Sequence, residues 1–140
     1  MTKWMYEDVG MPEDVFQVKS VSVTPDPLVR GETAVFTLNG RVVTAIEDGA
    51  YVDVVVKLGL IKLLTKRLDL LDELRRGDLK LACDTSDGNS PIPAGDTNFT
   101  LTFDFPKEAP QAKFSCEISA FTADDEDLAS LRIHLDLMGG

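Results

Sequence analysis

Two cysteines and one histidine are all the thiol and imidazole this 140-residue chain contains. Cys83 and Cys116 form no CxxC pair, and with His134 alone no zinc ligand set can be assembled. No run of about eighteen apolar residues is present to cross a bilayer as a helix. The first residues, MTKWMYEDVGMPEDV, lack the apolar stretch of a secretory signal. A cytoplasmic protein is therefore the expectation, with a trimmed leader and an added Met as the alternative. Positive charge is also scarce: 14 Lys and Arg stand against 24 Asp and Glu, a formal charge of −10. Such a balance excludes a nucleic-acid partner, which needs a basic surface to neutralise phosphates. No G-x-S-x-G, P-loop or dinucleotide fingerprint occurs, so no cofactor is expected. Neither an internal repeat nor a low-complexity segment is visible.

Alternating apolar and polar residues are what the chain has in quantity. The stretch Gly49–Leu64 organises the rest, because Val52, Val54, Val56 and Leu58 fall on one face of a strand and Asp53 and Lys57 on the other. After Gly59 the alternation stops in an apolar tip, Leu60, Ile61, Leu63 and Leu64, around Lys62. Phe16–Val23 reads as a strand whose phase slips near Lys19–Ser20, as a bulge would make it. Residues 24–32 form a proline-rich turn. Ala34–Ile46 alternates, with Phe36, Leu38, Gly40 and Val42 together. Ile61, Leu64, Leu68, Leu71 and Leu74 recur at three and four, a helical spacing. The reading is a strand to about Leu64 and one short helix over Asp69–Arg76. Residues 77–97 read mostly as loop. Phe99–Phe105, Phe114–Phe121 and Leu131–Leu137 complete the strands, and residues 1–15 are polar with Trp4, Met5 and Tyr6 as anchors. Six or seven short strands predict an all-β, antiparallel sandwich in a single domain over 1–140.

Catalytic groups are sparse. His134 alternates with Ile133 and Leu135, so it points outward as a solvated strand histidine. Asp124, Asp125, Glu126 and Asp127 lack the glycine spacing and terminal Glu of a calcium loop, and read as a solvated hairpin. Asn98-Phe99-Thr100 is a glycosylation sequon, meaningful in a secreted protein. No nucleophile–base pair supports a hydrolase, and the expectation is no enzyme. One charge feature stands out. Seven of the fourteen basic residues (Lys57, Lys62, Lys66, Arg67, Arg75, Arg76 and Lys80) fall within 57–80, making that segment +3 against −13 elsewhere. Basic residues beside apolar ones favour anionic lipid headgroups; the alternative is a charged face that keeps an apolar strand soluble.

The stretch EDGAYVDVVVKLGLIKLLTKRLDLLDEL closely resembles the organising segment of the fungal phosphatidylglycerol/phosphatidylinositol transfer proteins. These belong to the ML lipid-recognition family, which also includes the Niemann–Pick type C sterol carriers. VKSVSVTPDP, PIPAGD, FPKEAPQAKF and FTADDEDLASL extend the resemblance over nearly the whole chain. It implies an immunoglobulin-like sandwich whose sheets part to hold a lipid in an interior cavity, without catalytic residues. It also exposes departures. Val9 and Ser130 stand where the family pattern has paired cysteines. Leu71 replaces another, whose partner is either Ser90 or, with the preceding loop aligned differently, Cys83. Cys83 and Cys116 then read as unpaired thiols. Lost disulfides fit a reducing compartment, whereas the family precedent is secreted or vacuolar and lysosomal; an engineered, cysteine-stripped form is the competing account. Each missing bridge forfeits roughly 2–4 kcal/mol, so apolar burial must carry the fold.

The expected function is a monomeric carrier that binds phospholipid, or sterol, and moves it between membranes through transient contact with an anionic surface. A protein–protein interaction module with a filled core, or presentation of lipid to a partner protein, is the alternative. For the carrier, Phe36, Leu38, Val54, Val56, Leu58, Ile61, Leu64, Leu101, Phe103, Phe114, Ile118 and Ile133 are expected to line the cavity. Lys62, Lys66 and Arg67 are expected to dock on the membrane.

Overall fold

A computed structural model describes residues 3–24, 32–76, 81–86, 88, 91–104 and 112–137. Nine strands and one helix lie among them: β1 Lys3–Asp8, β2 Phe16–Thr24, β3 Thr33–Val42, β4 Tyr51–Leu58, β5 Ile61–Asp69, α1 Leu70–Arg76, β6 Leu81–Cys83, β7 Gly95–Asp104, β8 Lys113–Phe121 and β9 Asp127–Asp136. They form two antiparallel sheets, β1-β9-β8-β4-β5 and β2-β3-β7-β6. Alternation is what makes each strand two-faced. Along β3, Ala34, Phe36, Leu38 and Val42 are buried, while Thr33 and Arg41 are exposed. Gly40 sits in this row because a Cβ there would collide with the Gln17 carbonyl and the Phe16 ring. Phe16 then meets Phe99 edge to face, centroids 5.0 Å apart. The phase slip in β2 is a bulge between Val18 and Ser20.

Three sequence expectations need correction. Gly49–Leu64 is a hairpin rather than one strand with an apolar tip. Gly59, at φ 61°, opens the two-residue turn with Leu60 that joins β4 to β5. The helical spacing of Ile61, Leu64 and Leu68 belongs to a strand. Leu63 is an extra residue in β5, since Val56 pairs with Leu64 and Lys57 with Lys62, and one bulged residue turns a two-residue period into an apparent three. Finally, the polar start and the expected loop contain strands β1 and β6, and β7 begins four residues early, at Gly95. In β1, Trp4 and Tyr6 lie half-buried on the side that faces the core.

The helix is short but well ended. Asp69 accepts a bond from the Asp72 amide at 3.0 Å, as an N-cap does. Arg75 binds Asp72 at 2.6 Å and also pairs with Asp48. Leu70, Leu71 and Leu74 are buried, and α1 packs against β6 while touching β4 and β5. Asp84 pins the β6 end to β7, accepting the Asn98 amide, the Asn98 side chain and the Thr97 hydroxyl, each at 2.9 Å. These bonds hold its carboxyl below the ordinary value, so their stabilisation is present near neutral pH and is lost on acidification.

Both cysteines are free. Val9 and Ser130 adjoin: the Val9 amide donates to the Ser130 carbonyl at 3.1 Å. Leu71 is wholly buried; Ser90 lies outside the described residues. Cys83 rests against Thr85 and Thr97, each 3.4 Å away, on the sheet opposite Cys116. Adding reductant should therefore leave the melting temperature unchanged. A fall of several degrees in a calorimetric scan would contradict two free thiols.

Candidate functional site between the sheets

The two sheets face each other as the layers of a sandwich and share one core. Their backbones approach along β2 and β9, and α1 ties β6 to β4 and β5 on the other side. Trp4 reaches across to Phe36, edge to face at 5.8 Å. Around these supports lies a floor of wholly apolar side chains. Phe36, Leu38, Ile118 and Ile133, four of the residues expected to line a cavity, are buried in it.

The rows beside that floor behave differently. Val54, Val56, Leu58 and Phe114 share the inward face, because Val54 pairs with Ile118, Val56 with Cys116 and Leu58 with Phe114. All four are only half-buried, as is Leu101 on the opposing sheet between buried Phe36 and Leu81. This inward apolar row keeps accessible surface even where Val54, Val56, Phe114 and Leu101 pack against the buried core. Dense cores do not leave such rows. On β5 the exposure is greater still. Ile61 and Leu64, opposite Leu58 and Val56, are 63% and 49% exposed although their strand face is the inward one. Leu60 and Leu63 are exposed beside them. The space between the sheets is thus open along β5. The side chain of Phe103 lies outside the described residues; its backbone pairs with Ala34.

Cys116 stands in this face between Val56 and Ile133, and burial pushes its thiol up to about 11. Nothing near it makes a thiolate.

The outward face of the same sheet is polar and paired. Asp53 holds Arg67 in a two-pronged ion pair at 2.7 and 3.1 Å, and that guanidinium lies 4.4 Å above the Tyr51 ring. Glu117 accepts Lys57 at 3.1 Å and lies 3.7 Å from Arg132. His134 does point outward, yet its Nε2 is enclosed 3.5 Å from Glu7 without hydrogen-bond geometry. The acidic run 124–127 is an exposed hairpin, with Asp125 at φ 62° accepting the Tyr51 hydroxyl at 2.8 Å. Among the described residues no cluster of three His, Cys, Asp or Glu could hold a metal.

Of the three lysines and arginines expected to dock, Arg67 is therefore already neutralised. Among the described basic side chains, Lys62, Lys66 and Lys113 have no carboxylate in ion-pair range, and all three are exposed. Lys62 is on the outward face of β5 opposite Lys57; Lys113 begins β8 beside Phe114, near the hairpin turn. Lys80 lies outside the described residues. A groove of about 570 Å³, lined by Trp4, Met5, Gly59, Lys113 and His134 among others, runs around these strand ends rather than between the sheets. The sequence names Trp4 and Tyr6 only as anchors of a polar start, not as inward residues, and does not single out Lys113.

Two antiparallel sheets around an apolar interior, with exposed apolar side chains along the edge strand β5, define a β-sandwich domain of the kind whose apolar interior can take an apolar ligand. The model of the ML domain family matches residues 10–137, and the chain belongs to that family. It is 44% identical over 135 residues to a phosphatidylglycerol/phosphatidylinositol transfer protein of Cryptococcus neoformans, covering 96% of this chain and 71% of that protein. A protein of the same name from Mycosarcoma maydis is 33% identical over 132 residues, covering 94% and 65%. Among solved structures, a Niemann–Pick type C2 protein from Japanese carpenter ant superposes with a TM-score of 0.64 over 93% of this chain and 96% of its own, at 13% identity. Chicken MD-1, solved in complex with lipid IVa, gives 0.61 over 96% and 89%, also at 13% identity. The immunoglobulin-like fold is thereby established.

The two thiols differ in reach. At pH 8 the native protein should take up iodoacetamide at Cys83 alone, and Cys83→Ser should take up almost none until denaturant is added, because a buried thiol with a raised pKa offers neither thiolate nor access. Peptide mapping by mass spectrometry reads both sites.

Proposed function

We propose that this protein binds a phospholipid with its acyl chains between the two sheets and transfers it between membranes, without catalysing a reaction. The observation that carries this reading is the half-buried inward row Val54, Val56, Leu58, Phe114 and Leu101, flanked by fully buried neighbours. Apolar side chains lining unfilled space favour a ligand of their own polarity, at about 25 cal/mol for each Å² covered. The names of the fungal relatives support the ligand class. The resident groups offer no activated nucleophile, since Cys116 is held as a thiol and His134 faces Glu7 across the outer surface.

Delivery needs a docking surface, and charge indicates its place. A protein of −10 approaches an anionic bilayer through its unpaired cations. Lys62 and Lys113 flank the exposed Leu60, Ile61, Leu63 and Leu64 at the open edge. Within a Debye length of about 10 Å at 0.1 M salt, such a patch outweighs distant acids. Arg67 contributes less, because Asp53 already satisfies it.

Two experiments bear on these statements. Val56→Trp fills the row between Cys116 and Leu64, at an overpacking cost of about 1–3 kcal/mol. The folded variant should lose phospholipid adducts in native mass spectrometry; a folded variant that keeps them would refute the interior site. Lys62→Glu with Lys113→Glu should slow transfer from anionic vesicles about tenfold or more, from about 1 kcal/mol per charge near the surface. Transfer from neutral vesicles should respond less, and raised salt should slow the unaltered protein. Equal rates on anionic vesicles would place docking elsewhere.

A further inference from the structure

Lys66 differs from its basic neighbours in the direction it faces. It pairs with Val54, so its side chain leaves β5 on the inward side, between those of Leu64 and Leu68. The bulge at Leu63 is what puts it there, because it reverses the facing of every residue beyond it. Lys62, before the bulge, and Arg67, bonded to Asp53, both project outward. Across β4, β5, β8 and β9, the inward side chains among the described residues are otherwise apolar: valine, leucine, isoleucine, alanine, Phe114 and Cys116. Lys66 is the one charge in that set. It is exposed, and no carboxylate lies within ion-pair distance of it. A lone ammonium at the rim of an apolar opening is a poor packing choice, and it weakens the interior for a wholly apolar guest. It suits a guest with long apolar chains and an anionic group at one end.

We propose that Lys66 receives the phosphodiester of a bound glycerophospholipid at the open edge, and so selects anionic phospholipid over uncharged lipid. The inference rests on the carrier reading above, and assigns to Lys66 a role in ligand selection separate from membrane docking. The chain positions follow from the geometry. Acyl chains run inward over Leu64, Val56 and Val54, while the phosphate stays at the rim, where water and a lysine both reach it. A lysine is adequate here, since it serves a phosphate as a mobile point charge without a fixed bidentate geometry.

The test uses monomeric lipid in solution, so that no membrane takes part. Dioctanoyl phosphatidylglycerol and dioctanoylglycerol share their acyl chains and differ in the phosphate headgroup; each is titrated calorimetrically into delipidated protein. Lys66→Met should weaken phosphatidylglycerol binding about tenfold, as loss of a charge-assisted contact does, and leave dioctanoylglycerol unchanged. Lys66→Arg should restore most of the loss, and Lys62→Met should alter neither ligand. In the unaltered protein, raised salt should erode the preference for phosphatidylglycerol. Glycerol phosphate without acyl chains should not compete at equal concentration; if it does, Lys66 holds free phosphate and the proposal falls. A Lys66→Met protein that binds both lipids as before, or loses both equally, also overturns it while leaving the carrier reading intact. If the unaltered protein binds neither lipid, the carrier reading itself fails, and this one with it.

Discussion

One extra residue, Leu63, decides which side chains of β5 look into the molecule. With a regular register from Ile61, the inward positions would be Ile61, Leu63, Thr65 and Arg67. The bulge between Val56 and Lys57 makes them Ile61, Leu64, Lys66 and Leu68 instead. The consequences reach both faces. Arg67 is released to the outside, where Asp53 and the Tyr51 ring hold it. Leu68 is carried inward beside Val52, next to the point where α1 begins. The open edge, its apolar rim and its single inward charge all follow from that register.

Apolar surface left accessible costs stability, since it gives up packing contacts. This chain meets that cost without disulfides. The compensation is visible at the closed side. Phe16, Val42, Ile46, Ile92, Leu71 and Leu74 are buried there, and the Ile46 and Ile92 backbones exchange bonds at 2.9 and 2.7 Å. Leu71 is wholly buried and contributes apolar burial to that side. Val9 and Ser130 are held together by a backbone bond.

Electrostatics divide the surface along similar lines. The outward face of the five-stranded sheet is a set of compensated pairs, Asp53–Arg67, Lys57–Glu117 and Glu7–Arg132. Exposed pairs of this kind add little stability. Their effect is to cancel local fields, which among the described residues leaves Lys62, Lys66 and Lys113 as the basic groups free to meet an outside anion. In a molecule of net −10 the placement of those three matters more than the total.

Much was legible in the residues themselves. Strict alternation in VDVVVKL, in the Ala34–Val42 stretch and in FSCEISAF set the inward faces, because a strand offers its two sides in strict turn. Turn residues bound the elements, and the phase slip near Lys19–Ser20 marks the β2 bulge. Other features were not legible, for local reasons. The spacing of Ile61, Leu64 and Leu68 is the same for a helix and for a bulged strand, so periodicity alone could not separate them. Trp4 and Tyr6 lie in a segment too short and polar to declare itself, and they become inward residues only by pairing with Leu135 and Ile133. Lys62, Lys66 and Arg67 form one basic group in the sequence. Tertiary structure divides them into an unpaired outward lysine, an inward lysine and a neutralised arginine. The local pattern determined that an apolar interior would exist; only pairing between distant strands decided where it stays open and which charge stands at its edge.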